Sequence, residues 1–323
     1  PYLVITGHPI RGSNTLISRR YPVKNLGIPC GNSCRTYYRT SWWTLFSLAY
    51  FTTTSRTHVM MENQHTPLLY GNNLSYKIGN KTILEDVSIA LNTGELVTII
   101  GPNGAGKSSL LRLLTGYTPP TQGECFFKGK TYSQWNSQLL AQNRAVMRQN
   151  SQLSFSFSVE EVVAMGRAPH GQKHKQIAIE TALLQTNCLK LKTRDYRQLS
   201  GGEQQRVQLA RVLAQLWQPT PENVALFLDE PTSALDLYHQ QQSLRLLKQL
   251  VKTQNLMVCC VLHDLNLASL YADRILLLHQ GKLVCEGTPQ DVLTAENIEK
   301  WYGAEVSVNT HPELSQPQVF LRP

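Results

Sequence analysis

Three stretches of this 323-residue sequence carry residues suited to phosphate chemistry. The first is segment 101–108, GPNGAGKS, which follows the apolar run Leu96–Ile100 and opens a stretch with helical spacing of leucines. Glycines let successive backbone N–H groups converge on a phosphate, and the start of a helix adds partial positive charge. The strand, loop, Lys and Ser in this order predict a phosphate-binding loop rather than a glycine-rich turn that only starts a helix.

The predicted loop is expected to bind both a nucleotide and a metal ion. Lys107 would neutralise the β- and γ-phosphate oxygens, and the Ser108 hydroxyl would bind Mg²⁺. The loop residues predicted to contact the nucleotide are Gly101, Pro102, Asn103, Gly104, Ala105, Gly106, Lys107, Ser108 and Ser109.

The second stretch is Leu226–Glu230, an apolar run that ends in two adjacent carboxylates. Open parallel sheets bind ligands at the carboxyl ends of their strands, so this position suits a site. Asp229 is predicted to bind Mg²⁺, directly or through water, and Glu230 to be the general base that orients the attacking water. Two solvated acids at the end of a strand are the alternative interpretation.

A third element is Ser200-Gly201-Gly202-Glu203. Small residues before a helix expose N–H groups and one hydroxyl, which can bind an anion. The same four residues can also form an ordinary helix cap. From the residues alone, both interpretations stay open.

The three motifs together resemble the ABC ATPase family, over about residues 68–290. The resemblance implies binding and hydrolysis of ATP with Mg²⁺. It also implies a head-to-tail homodimer with two composite sites. In each site, Ser200, Gly201 and Gly202 of one subunit would cover the γ-phosphate held by segment 101–108 of the other.

The resemblance also assigns roles to three single residues. Gln149 resembles the family glutamine that contacts Mg²⁺ and the attacking water, and His263 the histidine that touches the γ-phosphate. Asp236, in Ser233–Asp236, resembles a residue of the loop that passes between the two sites, and it is predicted to contact the nucleotide. One position departs from the family pattern: Ile78 stands where an aromatic ring usually contacts adenine. Tyr76 either substitutes for that ring or packs in the core.

The elements that must position these residues predict an α/β fold. Buried strands alternate with helices, which predicts a mostly parallel sheet in a P-loop NTPase core. An N-terminal antiparallel β subdomain and an inserted α-helical subdomain at about residues 150–210 complete the expected ABC ATPase fold. The predicted strands are Leu74–Ile78, Ile83–Leu91, Leu96–Ile100, Val224–Leu228, Met257–Leu262, Arg274–Leu278 and Leu283–Cys285, and the predicted helices are Lys107–Leu114, Val159–Met165, Ile177–Leu189, Glu203–Leu216 and Gln240–Lys252.

The net charge of +9 is concentrated at one end of the chain. Residues 1–59 contain seven Lys or Arg and no Asp or Glu, whereas residues 60–323 have 24 basic and 22 acidic side chains. Nucleic acid is therefore not an expected partner. We interpret residues 1–59 as a disordered or non-native extension and residues 60–323 as the ABC ATPase domain; a basic tail that touches lipid is the alternative. No stretch has the length of a membrane span, and the longest candidate is Trp42–Phe51.

The segment from Ser154 to His170, which contains GRAPH, resembles that of importers of iron chelates, haem and vitamin B12. The resemblance favours hemin import across the bacterial inner membrane, with an iron-siderophore or vitamin B12 importer as the alternative. It implies two transmembrane permease subunits, a periplasmic substrate-binding protein that acts through the permease, and a peripheral position on the cytoplasmic face. His170 is expected on the surface that contacts the permease, not as a haem ligand.

A soluble ABC ATPase that acts on ribosomes or DNA is the alternative from another class. Ribosome-associated relatives normally carry two motif sets in one chain, and this chain has one. Relatives that act on DNA need a long coiled coil between the two halves of the motif set, but only about 93 positions separate Lys107 from Ser200.

Overall fold

The computed structural model describes residues 66–149, 155–220 and 222–323. The predicted extension at residues 1–59, which includes Trp42–Phe51, lies outside the described residues, as does Ser154. Within them the strands are β1 (Leu69–Ile78), β2 (Lys81–Leu91), β3 (Leu96–Ile100), β4 (Gln122–Phe127), β5 (Lys130–Thr131), β6 (Arg144–Met147), β7 (Val224–Asp229), β8 (Leu256–Val261), β9 (Arg274–His279), β10 (Lys282–Gly287), β11 (Val306–Thr310) and β12 (Pro317–Leu321). The α-helices are α1 (Lys107–Leu114), α2 (Ser137–Asn143), α3 (Val159–Met165), α4 (Lys175–Gln185), α5 (Gly201–Leu216), α6 (Leu237–Thr253), α7 (Leu265–Tyr271), α8 (Pro289–Val292) and α9 (Ala295–Tyr302).

A six-stranded sheet in the order β10-β9-β3-β8-β7-β6 forms the centre of the fold. All of its pairings are parallel except that of β9 with β10, so the predicted mostly parallel sheet is confirmed. Alternate side chains of β7 enter two different cores, with Leu226 and Leu228 on one side and Ala225 and Phe227 on the other. A sheet covered on both faces explains why its strands are continuous apolar runs.

The ends of four neighbouring strands lie level at one edge of this sheet. Ile99 of β3 and Asp229 of β7 both pair with Val261 of β8, and Met147 of β6 pairs with Leu228. Each of these strands is followed at once by a predicted site segment. The topology therefore brings together four segments that are far apart in the sequence.

A four-stranded sheet in the order β2-β1-β4-β5 is antiparallel throughout, as predicted for the N-terminal subdomain. Its inner side chains, such as Leu69 and Leu84, share a core with Leu110 and Leu113 of α1. The helix after the predicted phosphate-binding loop is thus packed between the two sheets.

Helices α3, α4 and α5 lie between β6 and β7 in the chain and pack on the other face of the central sheet. Helix α3 starts with a capping box, in which Ser158 and Glu161 bond reciprocally. Helix α4 ends at Gln185, earlier than predicted, because Asn187 takes a positive φ of 55° and turns the chain. Helix α5 starts at Gly201, two residues earlier than predicted, because its cap is Ser200.

Arg167, in the GRAPH segment, holds the C-terminal end of α5. Its guanidinium is buried and donates to the carbonyls of Ala214 and Trp217, both at 2.8 Å, and of Lys173 at 3.0 Å. The last carbonyls of a helix have no partner within the helix, so a fixed guanidinium fork suits them.

His170 adds to the same attachment. Its Nε2 donates to the carbonyl of Gln215 at 2.8 Å, and burial lowers the pKa of the ring. Gly166 lies against the helix as well, because a Cβ there would stand 2.2 Å from the carbonyl oxygen of Arg211. The GRAPH segment therefore has a structural role that its resemblance to importers did not reveal: it ties the loop after α3 to α5.

We predict that Arg167→Ala destabilises the protein by about 3 kcal/mol, because it leaves a cavity and buried carbonyls without donors. Urea unfolding followed by circular dichroism measures the change. Arg245→Ala, on the exposed face of α6, is the matched control and is expected to stay within about 0.5 kcal/mol of the unmutated protein. Equal stability of the two variants would contradict the proposed attachment.

Candidate functional site

The loop of residues 101–106 connects β3 to α1 and folds back over the start of the helix. Lys107 Nζ donates to the carbonyls of Gly101 at 2.8 Å and Pro102 at 3.0 Å. Burial lowers the pKa of Lys107, while the charges of Glu230 and Asp229 oppose that shift. The ammonium is held at the loop by backbone acceptors, which phosphate oxygens can replace.

The hairpin of β9 and β10 supports this loop from behind. The Gly281 N–H donates to the Ala105 carbonyl at 3.0 Å. Gly101 has a φ of 147°, and a Cβ on it would lie 2.1 Å from the carbonyl oxygen of Leu278. Only glycine fits there, so packing alone requires one of the loop glycines.

Ser108 and Asp229 meet at the start of α1 and the end of β7. The Ser108 hydroxyl donates to Asp229 Oδ1 at 3.2 Å. Burial raises the pKa of Asp229, the Ser108 bond opposes the shift, and the nearby Glu230 charge adds to it. Two hard oxygen donors beside a phosphate-binding loop fit Mg²⁺, which binds to few protein ligands and keeps phosphate and water oxygens. Across the described ranges no group of three or more His, Cys, Asp or Glu could hold a metal by itself.

Glu230 directly follows β7, and both of its carboxylate oxygens are bonded. Gln149 Nε2 donates to Oε2 at 2.6 Å, and His263 Nε2 lies 2.5 Å from Oε1. Glu230 has a φ of 52°, a left-handed conformation that is uncommon for a residue with a side chain. The three predicted catalytic residues are therefore brought together around one carboxylate.

The predicted anion-binding motif at Ser200 forms the start of α5. Ser200 caps the helix in a capping box, in which its hydroxyl donates to Glu203 Oε2 at 2.9 Å and accepts from the Glu203 N–H at 3.3 Å. The cap interpretation thus holds within one chain. It leaves open the anion-binding interpretation, because Gly201 and Gly202 still start a helix whose first N–H groups need partners.

Gln205 connects α5 to the segment that follows β7, a contact that the sequence did not predict. Its Nε2 donates to the Glu230 carbonyl at 2.7 Å, and its Oε1 accepts from the Ala234 N–H at 2.9 Å. No spacing in the sequence relates positions 205 and 230. The one available signal was a polar residue on the first turn after the glycine pair.

Asp236 is placed at the start of α6, where it accepts from the His239 N–H and lies 2.8 Å from His239 Nδ1. Its side chain is two-thirds exposed, and the next two residues, Leu237 and Tyr238, are exposed apolar side chains. The contact predicted between Asp236 and a nucleotide stays a prediction.

Tyr76 and Ile78, the two candidate residues for contact with adenine, differ in their surroundings. Tyr76 is half-buried and packs against the core of the antiparallel sheet, whereas Ile78 is 59% exposed at the end of β1. Packing therefore accounts for Tyr76, and Ile78 is the residue of the pair that is available to a ligand.

Known proteins resemble this chain in sequence and in fold. The family model described as ABC transporter matches residues 84–233. The hemin import ATP-binding protein HmuV of Escherichia coli O157:H7 is 51% identical over 254 residues, which cover 79% of this chain and 99% of that protein. A metal-chelate type ABC transporter in an inward-facing conformation aligns with a TM-score of 0.67 and 28% identity over 79% of this chain and 97% of that one. The dimeric structure of a bacterial ABC transporter cassette aligns with a TM-score of 0.59 and 26% identity, over 68% and 98%.

We predict that Asp229→Asn raises the midpoint of thermal unfolding of the metal-free protein at neutral pH. A raised pKa means that the folded state destabilises the charged carboxylate, so stability falls as pH rises from the ordinary Asp pKa through the folded one. The stability of the variant should not decrease over that pH range. Thermal unfolding scans at several pH values measure this. Asp264→Asn, an exposed residue that still caps α7 as Asn, is the control. An unchanged midpoint of thermal unfolding at neutral pH would contradict the raised pKa of Asp229.

Proposed function

Because this chain belongs to the ABC transporter family, we propose that it is the subunit that binds and hydrolyses MgATP and so drives transport by separate membrane subunits. The observation that carries this proposal is the Glu230 carboxylate, held by Gln149 and His263 beside the pair formed by Ser108 and Asp229. A carboxylate so placed can orient water for attack on a phosphate.

In the proposed reaction the loop at residues 101–106 holds the β- and γ-phosphates through its N–H groups, and Lys107 neutralises their oxygens. Ser108 and Asp229, with Gln149 nearby, would hold Mg²⁺, which neutralises charge on the transferring phosphate. Glu230 accepts the proton of the attacking water, and His263 contacts the γ-phosphate. Asp229 must be ionised to bind the cation, so its raised pKa weakens binding as the pH falls.

The proposed working unit is a head-to-tail homodimer. Each chain has one phosphate-binding loop and one Ser200-Gly201-Gly202 motif, so two chains can build two composite sites. In each, the N-terminus of α5 would contact the γ-phosphate held by the partner, and Asp236 would lie between the two sites. The exposed Leu237 and Tyr238 beside Asp236 are available to such an interface. Closure around ATP and reopening after hydrolysis would drive the permease.

The proposed cargo is hemin. The support is the extent of the similarity to HmuV, which covers nearly all of that protein. An iron-siderophore or vitamin B12 importer is the alternative, since this chain would not touch the cargo. We also propose two transmembrane permease subunits, a periplasmic substrate-binding protein acting through them, and a position at the cytoplasmic face of the bacterial inner membrane. None of the helices in the described ranges is long and apolar enough to cross a membrane.

The assignment of Glu230 predicts that Glu230→Gln binds ATP but hydrolyses it at least about 100-fold more slowly, because a general base has been removed. The variant should accumulate as a closed dimer with ATP, which size-exclusion chromatography detects. Glu313→Gln, an exposed residue outside the site, is the matched control. Hydrolysis by Glu230→Gln at the unmutated rate would overturn the assignment of the base.

Lys107→Ala is predicted to lose nucleotide binding, because the neutralising ammonium is absent. Equilibrium titration with a fluorescent ATP analogue measures the affinity for the nucleotide. If this variant bound ATP as tightly as the unmutated chain, the loop at residues 101–108 would not be the phosphate site.

Transport itself is tested with the permease that co-purifies with this chain, reconstituted in liposomes with a hemin-binding protein. We expect uptake of hemin in preference to a ferric siderophore or cobalamin, and we expect uptake to require ATP. Preference for one of the other two cargoes would replace the cargo assignment alone. Co-purification with ribosomes or DNA and not with a permease would instead favour a soluble ABC ATPase.

A further inference from the structure

The C-terminal hairpin, formed by β11 and β12, is a part of the fold to which the proposed reaction assigns no role. In the described ranges its two strands pair only with each other, so they form a sheet apart from the two larger ones. The hairpin contacts the rest of the chain through α7 and α9, and Val306 and Pro317 are buried there. Helix α7 begins two residues after His263, so this attachment lies close to the candidate site.

Two side chains of α7 bond to the backbone of β12. Asn266 Oδ1 accepts from the Val319 N–H at 2.8 Å, and Asn266 Nδ2 donates to the Val319 carbonyl at 3.1 Å. The hydroxyl of the fully buried Ser269 donates to the Pro317 carbonyl at 2.5 Å. Residues three apart share one face of a helix, and alternate residues of a strand present their backbone groups to the same side. Helix α7 therefore takes the place of a neighbouring strand along β12.

The same helix fixes the backbone around His263. Asp264, the next residue, caps α7, and its Oδ1 accepts from the Asn266 N–H at 2.8 Å. On the other side of His263, the Leu262 N–H donates to the Ile99 carbonyl at 3.3 Å, which continues the pairing of β8 with β3. His263 thus lies on a short connection whose two ends are both held by hydrogen bonds.

The imidazole of His263 is only weakly restrained by packing. Its side chain is 45% exposed, and its Nε2 lies 2.5 Å from Glu230 Oε1. The direction of a half-exposed ring depends on the backbone that carries it. Any movement of α7 would therefore move the ring relative to Glu230.

We infer that Asn266 is a positioning residue for His263, because it fixes α7 to the C-terminal hairpin. The inference rests on the proposed function, in which His263 contacts the γ-phosphate. A displacement of about 1 Å at a reacting centre can lower the rate about 100-fold. The loop at residues 101–106 and Lys107 hold the nucleotide, so loss of the Asn266 bonds should lower kcat and leave KM for ATP nearly unchanged.

The first test compares steady-state ATP hydrolysis by full-length variants. Asn266→Leu, similar in size but without the amide, is expected to lower kcat at least about tenfold and to change KM less than about twofold. Asn266→Asp keeps an acceptor for the Val319 N–H but loses the donor, so its kcat should lie between those of Asn266→Leu and the unmutated chain. Asn297→Leu is the matched control, because Asn297 Nδ2 donates to the Val292 carbonyl at 3.0 Å and so joins α9 to α8. Its kcat should be unchanged.

The second test observes the ring directly by nuclear magnetic resonance. The Hε1 resonance of His263, assigned by its absence from His263→Gln, should shift in Asn266→Leu and stay in place in Asn297→Leu. It should also shift in Ser269→Ala, which removes the other bond to β12 and keeps the test decisive if Asn266→Leu does not fold.

Three results would overturn the inference: an unchanged resonance in both α7 variants, an equal loss of kcat in Asn297→Leu, or a raised KM at unchanged kcat. Hydrolysis by Asn266→Leu at the unmutated rate would remove the role of Asn266 and leave the ATPase assignment standing. An absence of hydrolysis in the unmutated chain would instead remove the ATPase assignment, together with the role that rests on it.

Discussion

The level ends of β3, β8, β7 and β6 are the constraint on which the site depends. Parallel strands in register present the residues that follow them at one edge, so the loop at residues 101–106, His263, Glu230 and Gln149 converge without being close in sequence. The register is fixed because both faces of the sheet are buried, and a slip by one residue would move every side chain into the opposite core. The same packing that stabilises the fold therefore sets the geometry of the proposed catalysis.

Helix α5 joins three regions with different proposed roles. Ser200 caps its N-terminus, Gln205 bonds to the backbone around Glu230, and Arg167 and His170 hold its last carbonyls. Because a helix of 16 residues is stiff on this scale, a displacement of the loop after α3 must shift the N-terminus of α5 or break these bonds. The contacts supply a physical link between the surface assigned to the permease and the motif assigned to the partner's ATP.

The sequence predicted the buried elements well, because the periodicity of their apolar residues agrees with the residue types at their ends. Leu96–Ile100, followed by a glycine-rich loop and Lys107, favoured a phosphate-binding loop over a plain turn, and the strand and helix lie where they were predicted. Contacts between a side chain and a distant backbone could not be predicted. Gln205 bonds to the Glu230 carbonyl, and Asn266 to the backbone of β12, only because of tertiary packing that no local pattern encodes. The end of α4 was misplaced for a local reason, since the apolar spacing continues past the left-handed Asn187.

The hydrogen bonds of the Glu230 carboxylate define the state of the proposed base in a single chain. Both of its oxygens are occupied, by Gln149 and His263, and its backbone holds an uncommon conformation supported by the bond from Gln205. Each carboxylate oxygen has a second lone pair, which can accept a hydrogen bond from the attacking water while the first bond is kept. Phosphate oxygens and Mg²⁺ offer Gln149 and His263 stronger partners than a neighbouring side chain does. The bonded state of Glu230 in one chain is therefore compatible with its proposed activity, whether or not Gln149 and His263 turn towards the substrate.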